Sequence, residues 1–214
     1  PIMQTASSAT VLQSTAAAAE RVFEFLNEEE EITDVSNPKT IDVLKGKVTF
    51  DNIFFGYDKN KMVIKGFNAN IKPGQKIAIV GPTGAGKTTI VNLLMRFYDV
   101  NEGSIKIDGI DIRDLKQKQL RDIIGYIPQR GILFSGTIES NIRYGKENAT
   151  ENEMKKASEV AQALEFIQNK EDKFNTEIAQ GGTNVSGGQK QRLAIARALI
   201  KNPKIYIFDD SFSA

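Results

Sequence analysis

Gly81-Pro82-Thr83-Gly84-Ala85-Gly86-Lys87-Thr88-Thr89 decides how the rest of this chain is read. The run fits G-x-x-x-x-G-K-[ST], a loop built to wrap phosphate. Before it, Lys76-Ile77-Ala78-Ile79-Val80 reads as a buried strand; after it, Thr88 to Phe97 reads as a helix. That strand–loop–helix context is what the motif requires. Glycines let the backbone curl until successive N–H groups point at one anion. The helix N-terminus adds partial positive charge. Lys87 brings a full charge for β- and γ-phosphates, and the Thr88 hydroxyl is placed for Mg²⁺.

The remaining composition narrows the possibilities. The chain has 214 residues, 40% hydrophobic and 26% charged, as in a soluble globular domain with an extension. A net charge of +1 gives no bulk attraction for nucleic acid. The absence of Cys and His excludes disulfides, thiolate catalysis, His-based metal sites and His general bases within these residues. No apolar run approaches the roughly 18–20 residues that cross a bilayer. Residues 1–19 lack the charged start and apolar centre of a signal peptide. Pro1 and the abrupt end after a strand read as the ends of an excerpt from a longer chain.

Residues 6–30 read as a helix with an apolar stripe (Val11, Leu12, Ala18, Val22, Phe25, Leu26) and an acidic end. Residues 32–46 read as a linker. Residues 47–57 alternate as a strand does, with a turn or bulge near Asp51-Asn52, and residues 62–71 read as a second strand. Short strands are expected at Ser104–Asp108 and Ile123–Ile127, a helix at Leu115–Arg121, and mostly helix over 137–170. A Gly-rich stretch at 181–188 leads into an amphipathic helix, Gln189 to Ile200, and then a buried strand, Ile205 to Phe208. Strands alternating with helices imply an α/β sheet covered on both faces.

Four further motifs appear in a telling order. Tyr126-Ile127-Pro128-Gln129, Val185-Ser186-Gly187-Gly188-Gln189, the helix from Lys190 to Leu199, and Ile205-Tyr206-Ile207-Phe208-Asp209 resemble the Q-loop, signature, following helix and Walker B strand of ATP-binding cassette (ABC) proteins. The resemblance covers about residues 47–214. It implies a P-loop NTPase core with an antiparallel β subdomain and an inserted helical subdomain at about 130–187, incomplete at its C-terminus. Residues 1–46, through Ala19-Glu20-Arg21-Val22-Phe23-Glu24-Phe25-Leu26, are similar to the cytoplasmic extension and linker that follow the transmembrane domain of ABC exporters.

The resemblance also assigns roles. ATP would be held by Gly81 to Thr89, with Tyr57 stacking on adenine, although a strand tyrosine can equally be surface packing. Gln129 would reach Mg²⁺ or the attacking water and sense the transmembrane partner. Mg²⁺ would be held by Thr88, Gln129 and Asp209, since an unpartnered carboxylate at a buried strand end is costly. Ser186, Gly187, Gly188 and Gln189 form a capped helix start, which is also an anion site. In this family that start faces the ATP of a second subunit, so two ATP molecules are sandwiched in a dimer.

Two residues depart from the family pattern. Asp210 stands where ABC ATPases usually carry the Glu that polarises the attacking water. Its carboxylate reaches about 1.5 Å less far, and general-base catalysis depends on such reach. The expectation is an ATP site that binds well and hydrolyses slowly, as in one half of a heterodimeric exporter; Asp acting through an extra water is the alternative. Gln180 lacks the charge of a glutamate-containing stretch that exporters often carry near this position. The D-loop and switch histidine of the family lie beyond these residues.

The expected setting is the cytoplasmic face of a membrane, bacterial by its Lys, Ile and Asn content, with transmembrane domains on the same polypeptide. Three alternatives remain. A soluble DNA-repair type ABC ATPase needs long coiled-coil insertions, yet Gln129 and Ser186 are only 57 residues apart. An importer ATPase lacks the helix at 6–30. A non-hydrolysing nucleotide-binding module is kept open by Asp210.

Overall fold

The computed structural model describes residues 2–28, 32–58 and 61–209. The chain divides into two compact units, Pro1–Thr33 and Asp34–Ala214. The first is a single helix, α1 (Ile2–Leu26), which starts and stops four residues earlier than the stripe predicts. Its apolar residues Val11, Leu12, Val22, Phe25 and Leu26 are all exposed. Among the described residues no helix is long and apolar enough to cross a membrane.

The second unit opens on an antiparallel sheet. Its strands are β1 (Val48–Phe55), β2 (Ile64–Ile71), β3 (Glu102–Ile107) and β4 (Ile110–Asp111), in the order β2-β1-β3-β4. The bulge expected at Asp51-Asn52 is present: register shifts between Phe50 and Ile53, and Asn52 takes φ 48°. Alternation along β1 sends Val48, Phe50, Ile53 and Phe55 inward. They pack with Ile105, Ile107, Leu93, Leu115 and Leu120, all nearly solvent-free. Full burial of each such side chain contributes about 1.5–3 kcal/mol.

Helix α2 (Lys87–Leu94) follows the phosphate loop, and α3 (Gln117–Ile123) leads into β5 (Ile124–Ile127). β5 pairs in parallel with β8 (Ile205–Phe208), giving a two-stranded parallel sheet among the described residues. A second core is helical. It gathers α4 (Ile138–Arg143), α5 (Glu151–Val160), α6 (Leu164–Gln168) and α7 (Gly187–Ile200) around Ile138, Ile142, Met154, Ile167 and Leu193. A small ribbon, β6 (Gly136–Thr137) with β7 (Glu177–Ile178), ties its ends. The single helical pattern expected over 137–170 thus resolves into three helices. Thr137 and Thr150 start two of them with capping boxes.

Two expectations are corrected. Residues 76–80 are not a strand, and Ile77, Ile79 and Val80 are exposed by 52%, 40% and 87%. A strand is defined by its neighbour, and no described strand pairs with this run, so β-propensity alone does not make one. β8 is half-buried rather than buried, with Tyr206 and Phe208 exposed by 39% and 42%. Among the described residues it pairs along β5 alone. Within the span read as a linker, residues 34–46 are held by hydrogen bonds. The Asp108 carboxylate accepts from the N–H groups of Lys45, Gly46 and Lys47 at 2.9–3.0 Å. Gly46, at φ 87°, supplies the left-handed residue that turns these amides inward. Asp34 accepts from Gln117 N–H at 2.8 Å, and Lys39 pairs with Asp114 at 2.8 Å.

Candidate functional site

The phosphate loop is an exposed turn from Gly81 to Ala85 that runs into α2. Gly86 precedes the helix at φ 88°, in the left-handed region, and no side chain caps the first turn. Among the described residues no side chain occupies the cap of that turn, and a helix start without a side-chain cap is suited to an anion. Space also requires glycine at position 86, since a Cβ would lie 2.7 Å from Ile64 Cδ1. Lys87 Nζ donates to the carbonyls of Gly81 and Pro82 at 2.8 and 3.0 Å, holding the ammonium across the mouth of the loop. Thr88 is exposed and Thr89 is buried.

Tyr57, just past β1, stands over α2. Its hydroxyl donates to Thr89 Oγ1 and accepts from Asn92 Nδ2, both at 3.3 Å. Phe55 and Tyr98 meet its ring edge-on, with centroids 5.0 and 5.1 Å away. Tyr57 remains 54% exposed, so a face stays open for stacking. Asn92 and Tyr98 were not singled out from sequence. The available signal for Asn92 is its place three residues after Thr89, on the same helical face.

At the far end of β5, Tyr126 and Asp209 come together. The Tyr126 hydroxyl donates to Asp209 Oδ2 at 3.4 Å, and Asp209 N–H donates to the Ile127 carbonyl at 3.0 Å. Burial, then the Asp209 charge, pushes the Tyr126 pKa up, so the phenol stays a donor. Gln129 follows two residues later in the loop after β5. Asp210, the residue on which the expectation of slow hydrolysis rests, lies outside the described residues.

The signature forms the start of α7. Ser186 caps it, accepting from Gln189 N–H at 3.2 Å, while Gln189 Oε1 accepts from Ser186 N–H at 3.1 Å. Cβ atoms built on Gly187 and Gly188 would meet nothing within 4 Å. This helix start is thus braced from behind and open in front. Gln180, in the short turn Gln180–Gly182 ahead of it, is exposed.

Among the described residues no group of three or more His, Cys, Asp or Glu could hold a metal by itself. Thr88, Gln129 and Asp209 offer a hydroxyl, an amide and one carboxylate. That oxygen-rich set suits Mg²⁺, which is commonly bound by one or two carboxylates together with substrate phosphates.

The glycine-rich run 81–86 leads into α2 with Lys87 and Thr88 at its start, the loop-to-helix half of a P-loop nucleotide-binding motif, although no described strand precedes it. Residues 64–213 match the family described as ABC transporter, and the chain belongs to that family. It is 44% identical over 193 residues to an ATM1-type heavy metal exporter of Novosphingobium aromaticivorans, covering 90% of this chain and 32% of that protein. It is 41% identical over 214 residues to an ATP-dependent lipid A-core flippase of Desulfotalea psychrophila, covering 100% and 37%. A solved bacterial Atm1-family ABC exporter with ATP bound superposes with a TM-score of 0.86 at 42% identity, covering 96% of this chain and 36% of that one. The chain thus spans about a third of the length of these relatives.

Proposed function

We propose that this chain is the ATP-binding and ATP-hydrolysing part of an ABC exporter, working as an ATP-sandwich dimer at the cytoplasmic face of a membrane. The observation that carries this reading is that the domain presents two open half-sites. The loop at 81–86 offers amides and Lys87 to a phosphate, and the α7 start at 186–189 offers a second set of amides with open space before it. A two-fold dimer lets each half-site complete its counterpart on the other subunit. The names of the relatives support an exporter, with residues 1–46 joining the domain to its transmembrane part.

Within each site, Tyr57 would stack on adenine and the loop amides would bind the phosphates. Lys87 and the opposing signature amides would stabilise charge on the transferring phosphoryl group, where positioning and neutralisation dominate. Thr88, Gln129 and Asp209 would hold Mg²⁺, which would supply further charge neutralisation. Gln129 would orient the attacking water, with Asp210 as its base. The shorter Asp210 makes this site slow, so the partner is a second, different ABC subunit. Its competent site would be completed by Ser186 to Gln189 of this chain.

Steady-state ATP hydrolysis by the complete subunit, alone and with its partner, tests this against Asp210→Glu. The proposal expects slow turnover alone and, because general bases contribute about 10²–10⁴-fold, a rise of at least about tenfold in the variant. Fast wild-type turnover unchanged by Asp210→Glu would replace it with a symmetric exporter.

A further inference from the structure

The last register pair of β1 with β3 sets Phe54 opposite Glu102, the first residue of β3. One residue before β3, Asn101 continues the ladder with two groups of its own. Its N–H donates to the Phe54 carbonyl at 3.0 Å, and its side-chain Oδ1 accepts from the Gly56 N–H at 2.8 Å. Asn101 thus grips the peptide units on both sides of Phe55. Its side-chain oxygen stands in for the carbonyl that a neighbouring strand would offer. Gly56 is buried, so its N–H needs an acceptor from the protein itself. From the other side, Val63 N–H donates to the Phe55 carbonyl at 2.8 Å. The fit is tight, since a Cβ on Gly56 would fall 2.4 Å from the Lys61 carbonyl oxygen.

Gly56 joins two of three rings that pack together. The centroids of Phe55, Tyr57 and Tyr98 lie 5.0 to 5.7 Å apart. Residues 98–101 therefore hold both the Tyr57 ring, through Tyr98, and the backbone just before it, through Asn101. The two bonds at the Tyr57 hydroxyl are each 3.3 Å, so the 2.8 Å bond to Asn101 is the firmer constraint. We infer that Asn101 is a positioning residue for the nucleotide base. It fixes the backbone that aims Tyr57, and so raises affinity for adenine without touching ATP. A platform held in place beforehand loses less freedom when the base arrives. This inference rests on the adenine stacking proposed above.

Asn101→Ala removes the acceptor, whereas Asn101→Asp keeps an oxygen in the same place. The complete subunit is titrated by calorimetry without Mg²⁺, against ATP and against inorganic tripolyphosphate, which has the phosphates and no base. Full loss of the stack is worth about fivefold in Kd. Misplacement of the ring in Asn101→Ala should therefore raise the Kd for ATP about threefold. The Kd for tripolyphosphate should stay within about 1.5-fold, because the phosphate loop is untouched. Asn101→Asp should restore the wild-type ratio of the two affinities, a ratio in which any effect of its added charge on phosphate cancels. In a Tyr57→Ala background, Asn101→Ala should have no further effect, as expected for residues acting through one ring. Wild-type ATP affinity in Asn101→Ala, with affinity lowered in Tyr57→Ala, would overturn the inference and leave the stacking standing. Equal weakening of ATP and tripolyphosphate in Asn101→Ala would also overturn it, because that marks general loosening of the domain. Wild-type ATP affinity in Tyr57→Ala would remove the stacking itself, and this inference with it.

Discussion

Replacing Tyr57 separates what its ring does from what its hydroxyl does. The ring is 54% exposed and held on edge by Phe55 and Tyr98, so Tyr57→Ala removes the face proposed to stack on adenine. A face of this kind contributes on the order of 1 kcal/mol, so the Kd for ATP should rise about fivefold. Tyr57→Phe keeps the ring and loses two long hydrogen bonds, each 3.3 Å, to Thr89 and Asn92. These fix the ring over α2 rather than touch ATP, and long bonds sit at the weak end of about 0.5–1.5 kcal/mol. Its effect should stay below about threefold. Because every base has a π-face, the ratio of ATP to GTP affinity should change by less than about threefold in both variants. Titration calorimetry without Mg²⁺, where hydrolysis does not interfere, reads all three quantities. Wild-type affinity in Tyr57→Ala would refute a stacking role and return Tyr57 to surface packing.

Two further outcomes concern the scaffold. Asp108→Ala should cost about 2 kcal/mol in urea unfolding, because three backbone N–H groups at 45–47 lose one charged acceptor; a change below about 0.5 kcal/mol would show that water replaces it. At the start of α5, Lys146 and the Thr150 N–H hold the Glu153 carboxyl down to about 2, from its ordinary value of 4.5. A depressed pKa contributes stability above pH 4.5 that is lost as pH falls towards 2, so amide protection at the start of α5 should decline over that window. The pH-dependent part should vanish in Glu153→Gln.

How much of this could be read from sequence followed from how local each feature is. The phosphate loop, the Ser186 cap and the bulge at Asp51-Asn52 are encoded within a few residues, and the structure places them where the pattern does. The run Lys76–Val80 has the composition of a core strand, yet a strand needs a partner that its own residues do not specify. Residues 34–46 have little apolar pattern, and their docking depends on Asp108, more than sixty residues away in sequence. Asn101 reads as an ordinary polar position ahead of a short strand. Its partner Gly56 lies 45 residues earlier, a distance that periodicity does not bridge.

The sandwich can be tested most directly with cysteines, because these 214 residues contain none of their own. Thr83 is exposed on the phosphate loop, and Gly187 has open space around it on the signature turn. The measurement is oxidative cross-linking of the complete proposed dimer carrying Thr83→Cys on one subunit and Gly187→Cys on the other. The account predicts a covalent dimer that forms with ATP and is absent from either single-cysteine assembly. No ATP-dependent cross-link, in a protein shown to bind ATP, would contradict it.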